Sequence, residues 1–186
     1  MPADQEAGLA SSAIFLVDDD ANQPIILDIQ GEWDPQYQMN ARQNFNEHLV
    51  SVDSSSGSKP SGGHNYNNLT DWVTGRGGTY QTVQTSTRGI YEVYISVPNP
   101  QNPGSYINSF KTVYDPNVHS DNYMISSARQ AGSRVHQAVS NGSLQTSNGN
   151  LTAQLEVDGI LFEVRINTDT VTGKPLVGSV YPVKAN

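Results

Sequence analysis

Four histidines, His48, His64, His119 and His136, are the side chains of this sequence that ordinarily titrate close to neutral pH. The chain has no cysteine, which excludes thiol nucleophiles, disulfides and cysteine-held zinc. His48 lies in Glu47-His48-Leu49-Val50, and His64 in Ser61-Gly62-Gly63-His64-Asn65. The Ser/Gly-rich stretch between them, residues 51–63 with Lys59-Pro60 inside it, is loop chemistry that can fold back and bring both imidazoles to one cleft. Two imidazoles facing a phosphodiester can divide the work of RNA transesterification. One takes the 2′-OH proton while the other protonates the leaving 5′-oxygen. Spacing alone also admits two structural histidines, or a metal-binding pair, although no third histidine or carboxylate stands at ligand spacing beside them.

The surrounding pattern shows what must position these groups. From Pro35 to Leu49, Tyr37, Ala41, Phe45 and Leu49 recur every four residues and predict an amphipathic helix that His48 closes. Ala13–Val17 and Pro24–Ile29 read as short strands, and residues 1–12 as a loose terminus. After Trp72 the pattern becomes extended: Thr79–Thr87, Gly89–Val97 up to Pro98, Pro100 and Pro103, then Ile107–Tyr114. Ser120 is the expected N-cap of a helix to about Ser140, with Met124, Ala128, Ala131, Val135 and Val139 on one face and Gly142 as its stop. Leu151–Val157 and Ile160–Asn167 flank Asp158-Gly159, a two-residue hairpin signal, and Leu176–Val183 is the last strand. The expected class is α+β, a helical and loop part followed by antiparallel sheets with one further helix.

Length and composition set the outer limits. At 186 residues the chain is expected to form a single domain, 1–186, large enough to bury a core without metal or disulfide. No apolar run approaches the roughly 20 residues that span a bilayer, so no membrane role is expected. The net charge is −8, with ten acids and one base in residues 1–53 and eight acids and nine bases in residues 54–186. Such acidity opposes tight non-specific binding to a polyanion, yet leaves room for a locally neutral or basic cleft later in the chain.

Read singly, most candidates are ordinary. Lys111 beside a strand is a solvated charge, Tyr181 packs within a terminal strand, and Ser179 points outward. Lys59 is a surface charge, His119 helps the turn into the Ser120 helix, His136 covers core, and Asp18-Asp19-Asp20 is a solvated turn.

Taken together and in order, four segments change that reading. Glu47-His48 followed by Gly62-Gly63-His64-Asn65 resembles the two-histidine loop of the EndoU endoribonucleases. Phe110-Lys111-Thr112-Val113-Tyr114 resembles the lysine segment of that family, and Gly178-Ser179-Val180-Tyr181-Pro182 its Ser/Thr-x-Tyr-Pro strand. The resemblance covers about residues 45–183. It implies an EndoU-like catalytic fold that cleaves single-stranded RNA (tRNA among the candidates) after uridylates and leaves 2′,3′-cyclic phosphates. In that scheme His64 is the general base, His48 the general acid, and Lys111 the cation beside the transition state. Ser179 holds the uracil edge and Tyr181 stacks on the nucleoside. The sequence demands no cofactor, while relatives stimulated by Mn2+ leave metal dependence open. Cytoplasmic action and delivery into a target cell as a toxin domain are both compatible, and the acidic N-terminal part leaves open an immunity or inhibitor protein. The oligomeric state is not legible. A catalytically inactive RNA- or protein-binding module on the same scaffold, or a carbohydrate-binding β-domain, are the competing expectations.

Overall fold

A computed structural model describes residues 16–17, 24–28, 34–53 and 59–185. The expected loose terminus at 1–12, the start of the 13–17 strand, Asp18-Asp19-Asp20 and residues 54–58 of the histidine loop lie outside the described residues.

The class is α+β, built on two antiparallel-rich sheets with a helix packed on each. The first helix-on-sheet unit uses α3 (Asp121–Ser140). Ser120 caps it by accepting the Tyr123 N–H, and Met124, Ala128, Ala131 and Val135 form its fully buried stripe. That stripe packs on β8 (Leu151–Val157), β9 (Ile160–Thr168) and β10 (Pro175–Pro182). Short strands β1 (Leu16–Val17) and β2 (Ile25–Leu27) complete a five-stranded sheet in the order β1-β2-β8-β9-β10, in which only the β2–β8 pairing is parallel. The turn at Asp158-Gly159 has φ of 51° and 79°, the left-handed pair that a two-residue hairpin requires.

The second unit was only half legible. Its sheet, β5 (Thr79–Gln84), β6 (Ile90–Pro98) and β7 (Tyr106–Tyr114), matches the extended pattern after Trp72. Its helix, α2 (Tyr66–Gly75), has no counterpart in the sequence pattern: Asn, Thr and Asp crowd it, and only Leu69, Thr70 and Val73 turn inward. The Asn65 side chain caps it by accepting the Asn68 N–H at 3.2 Å. Leu69 and Val73 then pack against Val93, Ile95, Val97 and Val113 of the sheet.

The predicted helix over 35–49 is corrected: only α1, Phe45–Val50, is helical. Upstream, Asn40 O accepts the Val177 N–H at 2.8 Å and Arg42 N–H donates to Val177 O at 3.0 Å. The segment lies extended beside β10, with Ala41 bridged in parallel to Val177. Backbone groups committed to a strand are lost to a helix, so the four-residue period of Tyr37 and Ala41 yields to sheet pairing.

One irregularity sets the direction of the last strand. The β9–β10 ladder pairs Val177 with Ile166 and then Ser179 with Arg165, leaving Gly178 as an extra residue. Val177 and Val180 both face the core although three positions apart. The bulge reconciles them, and it turns Ser179 and Tyr181 to the opposite face, across from Arg165 and Glu163. Without the extra residue Tyr181 would pair with buried Phe162 and point inward.

Candidate active site

The first histidine is fixed by its own helix and the hairpin that follows. His48 stands in the last turn of α1, and β3 (Val52–Asp53) pairs with β4 (Ser61–Gly62) to close the loop behind it. Its Nδ1–H donates to Asp53 Oδ2 at 2.6 Å, which commits that nitrogen and leaves Nε2 for proton exchange. Arg42 Nη2 lies 3.7 Å from the same carboxylate oxygen and balances its charge. Burial pushes the His48 pKa below the usual histidine value and Arg42 and Lys111 lower it further, against the pull of Asp53.

The loop returns through two glycines at which any side chain is strained. Gly62 and Gly63 have φ of 65° and 70°. A Cβ on Gly62 would sit 2.4 Å from the His48 carbonyl oxygen, and one on Gly63 2.3 Å from Val52 Cγ2. Gly63 N–H donates to His48 O at 3.0 Å and His64 N–H to Leu49 O at 2.8 Å, so the second histidine is hung directly on the first helix. We therefore predict that Gly63→Ala lowers the unfolding free energy by about 1–2 kcal/mol through left-handed strain alone. It also slows RNA cleavage by displacing His64. Denaturant unfolding beside a cleavage assay on the still-folded fraction checks both, and wild-type values in each would refute it.

His64 is 5% exposed and held on every side. Its Nδ1–H donates to Thr112 O at 2.7 Å, its carbonyl accepts the Tyr114 N–H at 2.8 Å, and its ring lies parallel to that of Tyr181 at 4.8 Å. With Nδ1 committed, Nε2 is the free acceptor of the neutral ring. Desolvation, with Lys111 adding repulsion, brings its pKa down to about 3, so the ring is neutral at pH 7. Lys111 is itself largely buried, and burial lowers its ammonium to about 8.

These groups line one cavity of about 880 Å³ between β7, β10 and the histidine hairpin. His48, His64, Lys111, Ser179 and Tyr181 all reach it, joined by Arg42, Phe110, Glu163, Arg165 and Asn167. The five residues singled out by sequence are thus brought together from four separate stretches of chain. One face of the Tyr181 ring is taken by His64, and its hydroxyl donates to Glu163 Oε1. Burial and the adjacent carboxylate raise its pKa.

A sequence profile of the bacterial EndoU nuclease family matches residues 42–184. The chain belongs to that family. The family is one of nucleases. Among solved structures, that of "XendoU: a splicing independent snoRNA processing endoribonuclease" is similar at 12% identity and a TM-score of 0.40, over 75% of this chain and 46% of that one. The chain therefore spans about half the length of that protein. No curated protein matches it by sequence.

Several parts of this candidate site are not legible in the sequence. Asp53, five residues after His48, is the carboxylate the ligand-spacing argument passed over. Thr112 acts through its carbonyl, which no side-chain pattern reports. Glu163 and Arg165 lie on β9, and only their pairing with Tyr181 and Ser179 brings them in. Of the remaining histidines, His119 Nε2 donates to Arg88 O at 2.9 Å, and buried His136 bonds Tyr37 Oη at 2.7 Å. Neither lines the cavity. Among the described residues no group of three or more His, Asp or Glu gathers to hold a metal ion, and no helix is long and apolar enough to cross a membrane.

Proposed function

We propose that this EndoU chain is an endoribonuclease that cleaves single-stranded RNA on the 3′ side of uridylates by transesterification. The observation that carries the reading is the convergence of a neutral buried imidazole, a second imidazole and an ammonium on one cavity. His64 Nε2 takes the proton of the ribose 2′-OH, and the 2′-oxygen attacks phosphorus. As the new P–O2′ bond forms, charge accumulates on the non-bridging oxygens, where the Lys111 ammonium is already desolvated. The P–O5′ bond then breaks, and the departing oxygen collects a proton from His48 Nε2. The products are a 2′,3′-cyclic phosphate and a free 5′-OH. One proton has moved from substrate to His64 and one from His48 to product, and exchange with solvent resets both rings. A free imidazole held at about 3 is a weak base, and the bound phosphate raises it by offsetting the Lys111 charge that depresses it.

The uridine preference rests on the sheet face opened by the Gly178 bulge. Ser179 supplies a hydroxyl that donates or accepts, and Tyr181 a wall beside it. The two roles of Tyr181 separate by substitution. Tyr181→Phe keeps the ring on His64 and loses the hydroxyl's bonds to Glu163 and Arg165, so kcat falls a few-fold. Tyr181→Ala removes the wall and the stacking partner together. We expect it to lose base preference and at least tenfold in kcat/KM. Rates on oligonucleotides that differ only at the target base decide this, and equal behaviour of the two variants would argue against it.

The test of the whole reading is end-group analysis of a short RNA with one uridine. A cyclic phosphate after that uridine supports it. Cleavage leaving 3′-OH and 5′-phosphate ends would overturn it.

A further inference from the structure

The outer face of the β5–β6–β7 sheet carries aromatic rings that the cleavage chemistry leaves unused. Val93, Ile95 and Val97 turn into the core, which sends Tyr94 and Ser96 to the solvent side. Across the ladder Tyr94 stands between Gln81 on β5 and Phe110 on β7. The Tyr94 and Phe110 rings lie 5.9 Å apart and tilted by 33°. Phe110 is 60% exposed and Tyr94 47%. Tyr106, the first residue of β7, continues the same face at 61%. Large apolar surface left in water on a sheet face calls for an occupant.

Two observations name its chemistry. First, Phe110 also lines the cavity, and its chain neighbour Lys111 reaches the cavity from the other face of the same strand. β7 is an edge strand of its sheet, so a chain crossing that edge meets the lysine on one side and the aromatic pair on the other. Second, among the described residues this face carries no unbalanced negative charge. Thr79, Gln81, Ser96 and Asn108 are neutral, and Glu92 is met by Lys184 Nζ at 3.6 Å. On a protein of net charge −8, base stacking adds affinity to that of a few phosphate contacts, and it tolerates any base because every base has a π-face.

We propose that Phe110 and Tyr94 form a stacking subsite for the nucleotide that flanks the scissile uridine, its occupant being the same single-stranded RNA. The inference rests on the endoribonuclease reading and extends it from one nucleotide to two. The test uses an oligonucleotide whose target is 2′-deoxyuridine, which lacks the nucleophile and stays intact. The fluorescent base 2-aminopurine is placed on one flank or the other. Stacking quenches its emission, so the wild-type protein quenches it on one flank. Phe110→Ala abolishes the quenching and raises Kd about tenfold, Tyr94→Ala weakens both, and Phe110→Trp retains them. Both side chains are exposed, so folding is not at stake. Undiminished quenching with Phe110→Ala would overturn the subsite. So would wild-type protein that cleaves the all-ribose oligonucleotide yet quenches neither flank, which would assign the face to another occupant, a protein among them. Wild-type protein that neither binds nor cleaves would remove the parent reading along with it.

Discussion

Replacing His64 by alanine is expected to lower kcat on uridine-containing RNA by 10² to 10⁴, the span that a positioned acid or base ordinarily contributes. The size follows from how the ring is held. Thr112 O accepts the Nδ1–H, which fixes the tautomer, and burial keeps the ring neutral, so every molecule at pH 7 presents Nε2 as an acceptor. Alanine removes the acceptor and opens a space bounded by Tyr181. Exogenous imidazole that enters this space should restore part of the rate, whereas a merely unfolded variant gains nothing from it. Single-turnover cleavage with and without imidazole is the measurement. A variant as fast as the wild type would show that the proton leaves the 2′-OH by another route.

Lys111→Met carries the second large effect, a loss of 10² to 10³ in kcat, as for the removal of one fixed donor from a charged transition state. Its signature is in the pH profile of kcat/KM, which reports the free enzyme. In the proposed mechanism the active form has His64 neutral, His48 protonated and Lys111 charged. Activity therefore rises with pH through about 3 as His64 loses its proton. It falls again above the His48 pKa, which burial holds below 6.5. Above about 8 the decline steepens from tenfold to a hundredfold per pH unit, because the Lys111 ammonium is lost as well. Methionine keeps the volume and has no proton to lose, so the second break vanishes in the variant. A break at about 8 that survived the substitution would belong to another group.

Legibility in the sequence followed the range of the interactions. Ser120 and Gly142 bracket α3 because caps and left-handed stops act within a few residues, and Gly142 has φ of 80°. Asp158-Gly159 announced its hairpin for the same reason. The period through Tyr37, Ala41, Phe45 and Leu49 misled because β10, more than 130 residues further on, takes the backbone bonds of Asn40 and Arg42. Helix α2 was missed because its inward side is only Leu69, Thr70 and Val73, too short a stripe to stand out among asparagines and threonines. The Gly178 bulge follows from two core valines at 177 and 180, which cannot share one face of a regular strand.

The same distinction divides the site. Residue types and their order are local properties, so the two-histidine loop, the lysine strand and the Ser-Val-Tyr-Pro strand stood in the chain before any folding was considered. Protonation states and directions are not local. Which nitrogen of each imidazole is committed depends on Asp53 Oδ2 and on a carbonyl 48 positions away. The neutrality of His64 comes from the water that packing excludes, and the partial loss of the Lys111 ammonium above about 8 from the same exclusion. Desolvation belongs to an assembled interior, and only the assembled chain has one.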